Sequence, residues 1–142
     1  MTAPLAGKTI LMSGGSRGIG LAIALRAAAD GANVALLAKT DTPDPRLPGT
    51  IHTAAEQIRA AGGNALAIVG DVRNDDDITE AVMKTQGEFG GIDIVVNNAS
   101  VLSLAGSLDL DAKRYDLMQD VNVRGTFMLS RAAIPILREA EN

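Results

Sequence analysis

The segment Ser13-Gly14-Gly15-Ser16-Arg17-Gly18-Ile19-Gly20 sets Gly14, Gly18 and Gly20 at a G-x-x-x-G-x-G spacing. This pattern suits a backbone that must hold an anion. Gly14 permits a tight turn, Gly18 lets the main chain approach a pyrophosphate, and Gly20 allows close packing of a following helix. The free N–H groups of that helix start would face the charge. Ser16, Arg17 and Ile19 fall between the glycines and are candidate contacts. The stretch lacks the Gly-Lys-Ser/Thr ending of a nucleoside-triphosphate P-loop. A tight turn that binds nothing is the bland alternative.

A second chemical position lies about twenty residues on, at Ala38-Lys39. An acidic residue there would hydrogen-bond a ribose 2′-hydroxyl and repel a 2′-phosphate. Lys39, together with Arg17, instead offers positive charge where the 2′-phosphate of NADP(H) would lie. The competing reading makes both ordinary solvated bases. Asp71 and Val72 are placed to meet the edge of an adenine ring, unless Asp71 only forms a turn.

These residues need elements to position them, and hydrophobic patterning supplies those elements. Lys8 to Ser13 is a short apolar run, followed after the glycines by Ile19, Ala22, Ile23 and Ala27 at helical spacing. Asn33 to Ala38 is apolar on both faces, as in a central parallel strand. Thr40 to Gly49 carries three prolines and reads as a long loop. Helical character resumes near Ile51 and stops at Gly62-Gly63. A third strand covers Ala65 to Val69, and Asn74 is an N-cap for a helix whose first turn holds Asp75, Asp76 and Asp77. That acidic run reads as capping rather than metal binding. Ile92 to Val96 predicts a fourth strand, and Asp111 to about Glu139 one long helical region. The resulting βαβαβαβα order implies an α/β fold with right-handed crossovers and an open parallel sheet covered by helices on both faces; the expected arrangement is a Rossmann-type doubly wound sheet with strand order 3-2-1-4. The dinucleotide would sit at the carboxyl ends of the strands.

Beyond the fourth predicted strand come Asn97-Asn98-Ala99-Ser100 and, further on, Asn122 within VNVRGTF. Taken with Gly14, Gly18, Gly20 and Asp71-Val72, these resemble the short-chain dehydrogenase/reductase family, in order and spacing, over essentially the whole chain. The resemblance implies hydride transfer between NADP(H) and a small-molecule carbonyl or alcohol. It implies an adenine-side role for Asp71 and Val72, and a sheet-bracing, cofactor-facing role for Asn97, Asn98 and Ala99. It also implies a proton-relay role for Asn122. Ser100 departs from the glycine most members carry after Asn-Asn-Ala. The family's other catalytic residues, a Ser and a Tyr-x-x-x-Lys pair, would fall after Asn142. Tyr115 does not match that pair, because Gln119 stands four residues later and Tyr115 precedes Asn122. A polypeptide of these residues alone is therefore expected to lack turnover.

Patterning also predicts uncovered apolar surface. The fourth strand is apolar on both faces with no later strand to pair its outer edge. The last helical region carries one row at Leu117, Val121, Met128 and Ala132 and a second at Val123, Phe127, Ile134 and Leu137. One sheet face needs a single row. The spare row suits a subunit interface, consistent with the dimers or tetramers that the resemblance implies.

Composition narrows the alternatives. At 142 residues, with 46% apolar and 21% charged residues, the chain suits one globular domain. Its net charge of −4, with basic residues scattered, argues against a nucleic-acid surface. There is no Cys, and the single His52 cannot organise a metal site alone. No apolar run approaches the ~20 residues of a membrane span, and a reducing cytoplasmic setting fits. Two rival functions are a non-catalytic dinucleotide-binding or regulatory module and a methyltransferase with a similar glycine loop. The latter leaves Lys39 and Asn97-Asn98-Ala99 without a task.

Overall fold

The computed structural model describes residues 2–46 and 49–141. Leu47 and Pro48, in the proline-rich loop, and Asn142 lie outside the described residues.

Alternation of side chains decides the layers. Strand β1 (Thr9–Ser13) is buried along its length. Ile10 and Met12 point to one side of the sheet and Leu11 to the other. The same split separates Val34 and Leu36 from Ala35 and Leu37 on β2 (Asn33–Ala38). A strand covered on both faces reads as an apolar run, and both faces here are covered. Helices α1 (Gly18–Ala29) and α2 (Ile51–Ala60) pack on one side through Ala24, Ala28, Ile51 and Ile58. Helix α3 (Asp75–Phe89) covers the other side with Ile78, Ala81 and Val82. Leu11 and Leu36 are wholly inaccessible to solvent, and burying each stabilises the fold by roughly 1.5–3 kcal/mol.

Strands β3 (Asn64–Val69) and β4 (Ile94–Asn97) complete a four-stranded parallel sheet of order β3-β2-β1-β4. This is the expected order. Thr9, Asn33 and Asn64 stand in register across three strands. Asn64 Nδ2 donates to Asn33 Oδ1 at 2.9 Å, and Asn33 Nδ2 to Thr9 Oγ1 at 3.2 Å. That polar rung closes the end of the sheet opposite the glycine loop. Gly62, with φ +112°, follows α2 as its predicted stop. Asn74 caps α3 by accepting from the Asp77 N–H at 3.0 Å. Asp77 Oδ2 in turn accepts from the Asp71 N–H at 2.9 Å, and Asp75 pairs with Arg124 at 2.9 Å. Capping and pairing thus account for two of the three aspartates.

Some strand ends shift by a single residue from the reading of the sequence, and two differences are larger. The fourth strand starts at Ile94 rather than Ile92, because Asp93 hooks the chain onto β1. Its N–H donates to the Thr9 carbonyl at 2.9 Å, and its carboxylate accepts from the Thr9 N–H at 2.8 Å. The long final helix is interrupted. It consists of α4 (Ala112–Gln119), a π-helical turn over Asp120–Gly125, and α5 (Thr126–Leu137). A π turn widens the helix by one residue per turn and is frequent at functional sites.

The row Leu117, Val121, Met128 and Ala132 packs toward the α3 face of the sheet, as expected. In the second row Val123, Phe127 and Ile134 are exposed, but Leu137 packs against the core. Strand β4 is half-buried where β1 is buried, so the outer edge of the described sheet is uncovered. No helix among the described residues is long and apolar enough to cross a membrane.

Candidate functional site

Strand β1 lies between β2 and β4, so the chain leaves it first to one side and later to the other. The carboxyl ends of strands at such a reversal form a crevice. Here it is a cavity of about 530 Å³. The glycine loop contributes Gly14, Ser16, Arg17, Ile19 and Gly20 to its wall. Lys39 after β2, Asp71 and Val72 after β3, and Asn98 and Ala99 after β4 complete the expected set. Gly18 and Asn122 are not part of the lining.

The loop's geometry explains its glycines. Helix α1 begins at Gly18 after an extended Arg17, whose side chain makes no cap hydrogen bond. The first N–H groups of a helix have no partner within it. This uncapped start adjoins the cavity and suits an anion. Gly18 has φ +60°, and a Cβ there would meet nothing within 4 Å. At Gly14, by contrast, a Cβ would sit 2.6 Å from Asn98 Nδ2. One on Gly20 would overlap the same nitrogen and approach Gly15 Cα to 2.8 Å. Gly20 therefore makes room chiefly for the Asn98 carboxamide and the loop itself. Ser13 Oγ accepts from the N–H groups of Asn98 and Ala99 at 3.2 and 3.1 Å, fastening β4's end to the loop's base.

The far side of the cavity is cationic. Arg17 Nη2 donates to Thr40 Oγ1 at 3.0 Å, while its Nη1 is buried with no hydrogen-bond partner among the described residues. Buried polar groups are nearly always satisfied, so an orphan donor on a cavity wall calls for an acceptor such as a phosphate oxygen. The Lys39 side chain is 65% exposed and its Nζ stands 3.9 Å from Asp71 Oδ2. The Asp71 carboxylate is held more tightly by Arg73, whose Nη2 donates to Oδ2 at 2.8 Å and whose Nε reaches Oδ1 at 3.2 Å. The Arg73 guanidinium holds the Asp71 carboxyl below the usual carboxylate range.

Asn122 acts beyond the cavity wall. From the π turn, its Oδ1 accepts from the Val101 N–H and its Nδ2 donates to the Val101 carbonyl, both at 2.8 Å. Val101 lines the cavity. Asn97 is exposed, and its Nδ2 donates to Ser130 Oγ on α5 at 3.0 Å. Both side chains thus tie the segment after β4 to the final helices. Asn122→Ala removes two neutral hydrogen bonds at an exposed position. It should lower stability by about 1 kcal/mol, the low end for such a pair. The check is the denaturant midpoint of the intact protein; no shift would mean that the brace to Val101 carries no load.

With this geometry in place, the comparison with known proteins is decisive. The short chain dehydrogenase family pattern matches residues 8–142. The chain belongs to that family. It is 55% identical over 140 residues to hydroxysteroid dehydrogenase-like protein 2 of Homo sapiens, covering 99% of this chain and 34% of that protein. The Bos taurus relative of the same name is 54% identical, with the same coverage. A short-chain dehydrogenase of Mycobacterium thermoresistibile superposes with a TM-score of 0.94 at 57% identity, over 96% of this chain and 49% of that one. An NADH-dependent reductase, A1-R′, solved with NAD, gives a TM-score of 0.83 at 33% identity, over 97% and 55% of the two chains. The chain thus spans about a third of these curated relatives and about half of these solved ones.

For a short-chain dehydrogenase, a nicotinamide dinucleotide is the cofactor class. The uncapped helix start and the orphan Arg17 donor fit its phosphates. Reading the sequence missed Ser13, Gly15, Thr40 and Arg73. Ser13 is the hydroxyl that ends the first apolar run and Thr40 stands two residues beyond the second, a signal that was available. Gly15 has φ +92° and no room for a Cβ between Met12 and Leu36. Arg73 showed no signal apart from its neighbour Asp71. Tyr115 stands on α4, half-exposed and outside the cavity lining.

Proposed function

We propose that these residues form the cofactor-binding part of an NADP(H)-dependent oxidoreductase acting on a small-molecule carbonyl or alcohol. One observation carries the choice of NADP(H): Arg17 and Lys39 bring positive charge to the cavity wall, with Arg17 Nη1 buried and unpaired among the described residues. The bound dinucleotide supplies or accepts the hydride. Within this chain, the start of α1 and the loop from Gly14 to Gly20 hold the pyrophosphate. Arg17 and Lys39 hold the adenosine 2′-phosphate, while Asp71 and Val72 flank the adenine and Asn98 and Ala99 face the nicotinamide side. The family resemblance gave Asn122 a proton-relay role. Since its carboxamide is engaged by Val101, we assign its side chain to positioning the cavity wall.

Lys39→Asp tests the assignment in the intact protein. A charge-assisted hydrogen bond is worth about 1.5–3 kcal/mol, roughly tenfold to hundredfold in affinity. The variant should lose at least that factor for NADPH and bind NADH in preference, through an acceptor for the ribose hydroxyl. An unchanged NADPH affinity would remove Lys39 from the site.

The exposed row of Val123, Phe127 and Ile134 supports a homo-oligomer, a dimer or tetramer, as the working state. A cytoplasmic setting completes the proposal, consistent with a cysteine-free chain.

A further inference from the structure

Three charged side chains from two different strand ends meet on one wall of the cavity: Lys39 after β2, and Asp71 and Arg73 after β3. Their spacing is unequal. Asp71 receives Arg73 through Nη2 at 2.8 Å, through Nε at 3.1 and 3.2 Å, and through the Arg73 main-chain N–H at 2.9 Å. Lys39 stands at 3.9 Å from the same carboxylate. The main chain at Arg73 is itself anchored, since Asn74 begins the α3 cap and Arg124 Nη1 donates to the Arg73 carbonyl at 3.5 Å.

A carboxylate beside a flexible lysine competes with any phosphate for that lysine. Were Asp71 otherwise unpaired, Lys39 would close the remaining gap, and its charge would be spent on a neighbour in its own protein. The planar guanidinium of Arg73 occupies both carboxylate oxygens from a fixed direction, a geometry that lysine cannot copy. Lys39 then keeps only the longer 3.9 Å contact with Asp71, with 65% of its side chain exposed. We propose that Arg73 is a specificity-determining residue: by saturating Asp71 it keeps Lys39 available to the 2′-phosphate, and so sets the preference for NADP(H) without touching that phosphate. This rests on the NADP(H) reading above.

The test uses the intact protein and titrations with NADPH, NADH, adenosine 2′,5′-bisphosphate and adenosine 5′-monophosphate at fixed ionic strength. Arg73→Met keeps the aliphatic stem at a side chain that is 38% exposed, so the fold is not at risk. The ratio of NADPH to NADH affinity should fall about tenfold, with the same fall in the ratio for the two adenosine nucleotides. A merely structural role for Arg73 would weaken each pair equally and leave both ratios unchanged. In a Lys39→Met background, Arg73→Met should produce no further change in either ratio, because the relayed effect has lost its target. A ratio maintained in Arg73→Met overturns the inference. So does an equal fall in both backgrounds, which would make Arg73 a direct phosphate contact. Equal binding of NADPH and NADH by the wild type would overturn the cofactor reading first and the role of Arg73 with it; a preference that survives Arg73→Met overturns the role of Arg73 alone.

Discussion

Gly18→Val is expected to abolish dinucleotide binding by the intact protein while leaving it folded. The two halves of this outcome have separate causes. At Gly18 a side chain would point into open space, with nothing of the protein within 4 Å, so no internal contact is lost. The remaining cost is the positive φ of +60°, roughly 1–2 kcal/mol for a residue with a Cβ and tolerable in a stable domain. The ligand meets a different surface. A branched side chain at the first residue of α1 stands where a pyrophosphate must approach the free N–H groups. Losing even one charge-assisted hydrogen bond there reduces affinity roughly tenfold to hundredfold, and several are lost together. Gly20→Val should behave differently, because its Cβ collides with Asn98 and Gly15 inside the protein. It should lose both fold and binding. Circular dichroism and calorimetric titration separate these outcomes. Full affinity in a folded Gly18→Val protein would show that the loop does not hold the pyrophosphate.

The second large effect concerns chemistry. A polypeptide limited to residues 1–142 should show no substrate-dependent oxidation of NADPH. The ionisable side chains lining the cavity are Arg17, Lys39, Asp71 and Arg73, all grouped where the adenosine end is assigned. A carbonyl being reduced needs a proton donor at its oxygen, and a positioned general acid is typically worth ~10²–10⁴-fold. Tyr115 cannot serve. It lies outside the lining, on the exposed side of α4, with Gln119 where an activating lysine would be needed. The half-buried outer edge of β4 leaves the nicotinamide side of the crevice open, so orientation of the hydride is lost as well. Steady substrate-dependent turnover by purified polypeptide of verified mass would show that the active site lies within these residues.

The layered sheet was legible because parallel strands buried on both faces must be apolar throughout. Asn33 to Ala38 could hardly be read as anything else. The βαβ alternation implied a parallel sheet with right-handed crossovers, a handedness that several strand orders share. The cavity lining was legible where residue type stood out locally, as at Gly14, Lys39 and Asp71. Contacts between distant segments were not. That Asn98 fills the notch left by Gly14 and Gly20 depends on two loops meeting across the sheet. The π turn was hidden for a similar reason. Residues 111–139 have continuous helical periodicity, yet the turn widens where Asn122 grips Val101 and where Gly125 lies against Val72. A Cβ on Gly125 would approach Val72 Cγ2 to 2.9 Å. Local pattern gives no sign of that crowding. Leu137 was misread for the opposite reason, since its spacing assigned it to the free row although it packs on the core.

The proposed site puts a nicotinamide dinucleotide in the crevice above β1, with its 2′-phosphate on Arg17 and Lys39. The most direct measurement is calorimetric titration of the intact wild-type protein with NADPH and with NADH at one ionic strength. NADPH should bind roughly tenfold to hundredfold more tightly, the worth of one charge-assisted contact, and added salt should narrow the difference by screening Lys39. NADH binding as tightly as NADPH, or more tightly, would contradict it.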